Sequence, residues 1–145
     1  MIKIKLYKNI LSVALLAVAT LFSGTAAAKY VPYKGSAAAE KAIEATEKSA
    51  EKFTEDHSAQ ALEHVAVAAT HGKVGHAGVL TEHAKVALEH AQAAEQVLEG
   101  EAKAHLAEAV THLNEAIKHG NMDHADVATE HVNEAIAHIK ASIGE

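Results

Sequence analysis

Twelve histidines recur at regular spacing in this chain: His57, His64, His71, His76, His83 and His90, then His105, His112, His119, His124, His131 and His138. A neutral imidazole offers a nitrogen lone pair to borderline transition metals and takes up a proton close to neutrality. An ordered array of imidazoles therefore points to metal coordination first and to proton-driven switching second. The chain has no cysteine, so neither thiolate ligands nor disulfides enter the chemistry.

The positions are mirrored. Paired indices sum to 147 in the first set (57/90, 64/83, 71/76) and to 243 in the second (105/138, 112/131, 119/124). Antiparallel helices joined by a tight turn pair residues at constant index sum, so each set predicts a helical hairpin with three His–His rungs. Gly72 and Gly120 follow the inner histidines, where a left-handed residue just past a helix end is favoured. The two sets are copies: residues 57–90 and 105–138 share 15 identities over 34 positions. Copying a hairpin copies its histidines, so the twelve are not independent observations.

These rungs need helices to carry them. From Ser36 to Glu145 the chain is rich in Ala, Glu, Leu and His with apolar residues three or four apart, which predicts amphipathic helix throughout. Glycines at 72/75, 100 and 120 divide it into helices near 57–71, 76–99, 101–119 and 124–143. Short connections between such helices predict an all-α, up-down-up-down four-helix bundle built from two duplicated hairpins. Segment 36–56 is an extra N-terminal helical segment. Its stripe of Ala39, Ile43, Ala50 and Phe53 points along the histidine direction rather than toward Leu62, Val65 and Ala69, which predicts a break or kink near Thr54–Asp56, the alternative being a frayed or continuous helical extension.

In the third and fourth helices the histidines lie roughly 110–130° from the apolar stripes, on the flanks and open to ions. Histidines seven apart on one helix are about 10.5 Å apart along the axis, too far to share an ion, so each rung is its own expected site. Glu101, Glu108, Glu115 and Glu134 stand three or four residues from histidines and can add oxygen ligands, although such spacings ordinarily give solvated helix pairs. The first hairpin has no acids so well placed. By the usual affinity order, Cu²⁺ binds such sites most tightly, with Ni²⁺ and Zn²⁺ behind.

Residues 1–28 read as a cleavable secretory signal: Lys3, Lys5 and Lys8, an apolar run from Ile10 to Phe22, then Ala26–Ala28. Removal leaves 117 residues, with 10 Lys against 19 Asp and Glu and a net charge of −9 with neutral histidines. The expected organisation is signal 1–28, linker 29–35 around Pro32, and helical domain 36–145, divided into the extension 36–56 and the bundle 57–143. An acidic chain with no arginine and few aromatics is not expected to bind nucleic acid, nor membrane once the signal is gone. No catalytic motif stands out, so an enzyme is not expected.

The run His64-x6-His71-Gly72-x3-His76-x6-His83-x6-His90, its copy from His112 to His138, and the string Glu115-Ala116-Ile117-Lys118-His119-Gly120 resemble the bacterial periplasmic small metal-binding proteins. The resemblance covers roughly residues 55–143 and leaves the segment 29–54 unexplained. It implies an up-down four-helix bundle binding several divalent ions, copper preferentially, for sequestration or delivery, with all twelve histidines as ligands. The resulting expectation is a monomeric periplasmic protein that sequesters, buffers or carries Cu²⁺, Ni²⁺ or Zn²⁺, with room for an unidentified metal-accepting partner and no choice among storage, detoxification and delivery. The competing expectation is a pH-responsive structural or envelope-stress protein whose histidines act as protonation switches. A third, an adaptor, rests on the 36–53 stripe alone.

Overall fold

The computed structural model describes residues 37–145; the expected signal (1–28) and linker (29–35) lie outside them. Four helices follow one another: α1 (Ala37–Lys73), α2 (Ala77–Glu95), α3 (Gly100–Asn121) and α4 (Ala125–Ile143). Of the described residues, Ala37–Glu47 belong to one compact unit and Lys48–Glu145 to another. The second unit is the four-helix bundle. No helix among the described residues is long and apolar enough to cross a membrane.

The bundle core is built from small residues in heptad-like spacing. On α1 the buried positions are Thr54, Ser58, Ala61, Val65, Ala68, Ala69 and Gly72. Leu80, Leu106, Leu113, Val132 and Ile139 are the larger fully buried side chains of the other helices, with alanines between them. Alternating a large residue with alanine lets helices approach closely while the layers still interdigitate.

Two glycines mark close approaches between helices. A Cβ on Gly72 would collide with Thr129 Oγ1 of α4 and lie 2.6 Å from Leu80 Cδ1 of α2. The copied position repeats this, since a Cβ on Gly120 of α3 would collide with Thr81 Oγ1 of α2. Both threonine hydroxyls donate back to the carbonyls four residues earlier, Ala77 and Ala125. These contacts place α1 beside α4 and α2 beside α3, so the two hairpin turns share one end of the bundle.

The glycines therefore have a different task from the one expected. Gly72 and Gly120 are buried inside their helices, and the left-handed residues at the turns are Gly75 (φ 79°) and Asp123 (φ 62°). Each helix runs on to complete a Schellman motif: His76 N–H donates to His71 carbonyl and Gly75 N–H to Gly72 carbonyl, at 3.0 and 2.9 Å. His124 to His119 and Asp123 to Gly120 repeat it, both at 3.0 Å.

Two further expectations are corrected. The kink near Thr54–Asp56 is absent; α1 is unbroken from Ala37 to Lys73, the continuous extension that stood as its alternative. Thr54 Oγ1 satisfies itself on the Ala50 carbonyl at 3.0 Å, and Lys52 pairs with Asp56 at 2.7 Å along the helix surface. No kink is needed because the N-terminal stripe is not buried: Ile43 and Phe53 are 47% and 42% exposed. The second helix stops at Glu95 instead of 99, and residues 96–99 form the connection in which Leu98 folds back into the core.

Candidate metal sites along the histidine columns

Heptad spacing keeps one side chain per two turns on the same helix flank, and antiparallel pairing brings the flanks of α1 and α2, and of α3 and α4, together. All six expected pairs stand side by side, and five of them bring ring nitrogens into contact. Nδ1 faces Nδ1 at 3.0 Å in His57/His90, 3.1 Å in His64/His83, 3.3 Å in His71/His76, 3.4 Å in His105/His138 and 3.3 Å in His112/His131. His119 and His124 stand with ring centroids 5.9 Å apart, and His119 Nδ1 is buried without a hydrogen-bond partner. None of the twelve belongs to the core; His76 and His124 are exposed and the other ten half-buried.

The inner rungs follow from the turn itself. His71 and His76, like His119 and His124, occupy the two Schellman positions whose side chains normally make an apolar contact across the helix end. Here imidazoles fill both. His76 and His124 also stand as N-caps of α2 and α4 without any side-chain capping bond, which leaves their rings free for the rung.

The rungs are linked as well. His64 stacks on His90 at 5.9 Å and 13°, and His71 on His83 at 6.3 Å and 5°. In the second hairpin His112 stacks on His138 at 5.5 Å and 14°, and His119 on His131 at 5.6 Å and 21°. Each hairpin thus carries one zigzag column of six imidazoles, rung and diagonal alternating. A histidine of one rung meets a histidine of the next, although the expectation was of isolated rungs.

Two carboxylates join these diagonals. His112, Glu134 and His138 present ligand atoms within 4.8 Å of one another, and so do Glu115, His119 and His131. Acids expected to be ordinary solvated neighbours are therefore potential third ligands. Glu101 reaches only to 4.0 Å from His105 Nε2, and Glu108 joins no three-ligand set among the described residues. The hydrogen bond from Lys118, at 3.0 Å, lowers the Glu115 carboxyl below its ordinary range, helped by the Lys118 charge and by His119 and His131. Burial lowers His90 below the usual imidazole value, and the neighbouring His57 and His64 add to the effect. Phe53, one turn before His57, packs its ring 4.2 Å from that imidazole and covers the end of the first column. The spacing of Phe53 and His57 was the only sequence signal for that contact.

Imidazoles in these rungs can act in two ways. Without metal, one ring donates an N–H to its partner's Nδ1. With metal, both Nδ1 atoms give lone pairs to a single ion: bonds of about 2.0–2.1 Å put two nitrogens about 2.9 Å apart at a right angle and about 3.4 Å apart at a tetrahedral one. The observed separations fall in that interval.

The model of the family described as small metal-binding protein matches residues 33–142. The chain belongs to that family. The pattern of small metal-binding proteins thus extends over residues 33–54, which the resemblance had left outside it. A comparison with curated proteins found no match. The family is a metal-binding one, and the two histidine–glutamate clusters are able to hold a metal ion.

Proposed function

We propose that this protein buffers, sequesters or carries several divalent transition-metal ions on its two histidine columns, without catalysing a reaction. The observation that carries the reading is the facing of Nδ1 atoms at 3.0–3.4 Å in five rungs, a bite suited to one ion per pair. Nitrogen and oxygen ligands without sulfur favour Cu²⁺ over Ni²⁺ and Zn²⁺. The leader-like residues 1–28 support a periplasmic location, where a soluble carrier meets ions entering from outside. A monomer that passes its ions to an acceptor protein is part of the same proposal.

Calorimetric titration of the chain with Cu²⁺, Ni²⁺ and Zn²⁺ near neutral pH tests it. Several ions bound per chain, Cu²⁺ tightest, is the expected result; less than one ion per chain overturns the reading.

The second reading, a protonation-driven switch, draws support from the column geometry, since protonating both rings of a rung sets like charges against each other. It requires a change of shape or association between pH 7.5 and 5.5 in metal-free buffer. Identical sedimentation and circular dichroism at the two values remove it.

A further inference from the structure

The two hairpins are copies in sequence and carry the same six-ring column, but they differ at the residues that flank the diagonals. In the second hairpin Glu115 accompanies the His119/His131 diagonal and Glu134 the His112/His138 diagonal. Forty-eight residues earlier, the equivalent positions are Val67 and Val86. Both valines are half-buried at the positions equivalent to those glutamates, in a hairpin whose own diagonals, His71/His83 and His64/His90, are likewise stacked, at 6.3 and 5.9 Å. An apolar side chain replaces a ligand at both places, and at no histidine.

We infer that the hairpins divide the metal between two affinity classes: the second holds two tighter sites, each of two imidazoles and one carboxylate, and the first holds imidazole-only, weaker sites. This rests on the metal-binding reading above and adds an order of filling to it. Three protein ligands that include a carboxylate complete more of a divalent ion's coordination sphere than two neutral imidazoles, and the carboxylate contributes a formal negative charge. The buried, unpartnered Nδ1 of His119 is a second mark of the same place, because an unsatisfied nitrogen is costly to bury unless something accepts its lone pair or proton. At low ion concentration the second hairpin fills first. The first hairpin then acts as overflow capacity and releases its ions first when supply falls.

The test titrates the full chain with Zn²⁺ at pH 7.5 by calorimetry, with circular dichroism to confirm that each variant is folded. The parent is expected to show a tight class of two ions, one for each three-ligand set. Replacing Glu115 and Glu134 together by valine imports the first hairpin's own residues and is expected to weaken that class by at least about 10-fold, the lower end of what a lost supporting group costs a metal site. The reverse change, Val67→Glu with Val86→Glu, is expected to enlarge the tight class, whereas His64→Gln with His83→Gln leaves it intact. A tight class that survives in the glutamate-to-valine variant, or is lost in the His64/His83 variant, overturns the division while leaving metal binding in place. Failure of the valine-to-glutamate variant to gain tight ions overturns the equivalence of the two columns. A parent that binds no Zn²⁺ overturns the metal-binding reading itself.

Discussion

A single imidazole in these columns answers to two neighbours, its rung partner and its diagonal partner. His112 and His131 face each other at 3.3 Å and also belong, one each, to the two carboxylate-bearing sets. Replacing both with glutamine should therefore lower the number of ions bound in a titration while leaving far-ultraviolet dichroism unchanged, because both rings lie off the core. His90 supplies a pH prediction. Its folded-state pKa lies below the ordinary 6.5, so the unfolded chain takes up that proton first as pH falls. The native state is then penalised from about pH 6.5 downward, increasingly until the lowered folded value is passed. In metal-free buffer the melting temperature should fall between pH 7.5 and 5.5, and the fall should be smaller in His90→Gln.

At the scale of the element, the turns show how copies diverge without losing geometry. Gly75 and Asp123 hold the same left-handed position in equivalent Schellman motifs. Gly75→Ala should cost about 1 kcal/mol, the usual penalty for an L-residue there, and Asp123→Gly should stabilise the protein slightly. Gly72→Ala should cost more, about 1–3 kcal/mol, because the added methyl meets Thr129 and Leu80 in a closely packed contact. Denaturant midpoints separate the two effects; equal costs at Gly72 and Gly75 would contradict the assignment of one to packing and the other to backbone conformation. In the sequence, Gly72 and Gly120 read as helix-ending residues because glycine next to a helix-terminal histidine satisfies the same local rule. Only the approach of a neighbouring helix distinguishes the two uses.

Across the whole bundle, packing rather than metal should hold the fold, since four long amphipathic helices bury a continuous alanine–leucine core among the described residues. The metal-free protein should be helical and melt cooperatively. Ions that bind only the folded state should raise its stability by about 2.7 kcal/mol at a hundredfold excess over Kd, and the increment should fade toward pH 5.5 as protons compete for the imidazoles. A metal-free chain without helical dichroism would overturn that order of events. The helices, their pairing and the six rungs were legible in the sequence because a seven-residue repeat and a constant index sum are both one-dimensional signals. The alliance of Glu115 with His131, and of Glu134 with His112, was not, because it depends on the lateral stagger of two helices across a groove. The sequence left both a kink and a continuous α1 open past Thr54 for a related reason: the outer stripe stays exposed at Ile43 and Phe53, and sequence patterning assumes that apolar stripes are buried.

Alternating rungs and diagonals turn each column into a row of six partners, in which every ring except the two at the ends can join either neighbour. Covering such a row two at a time has one solution that leaves nobody out, the rungs. Sliding the pairing by one step covers the interior but strands the end members, His57 and His76 in one row, His105 and His124 in the other. Occupancy of the column is therefore a tiling problem: an ion seated on a diagonal blocks two rungs at once, and a filled row has to change its tiling, not merely add to it, on the way from sparse to full.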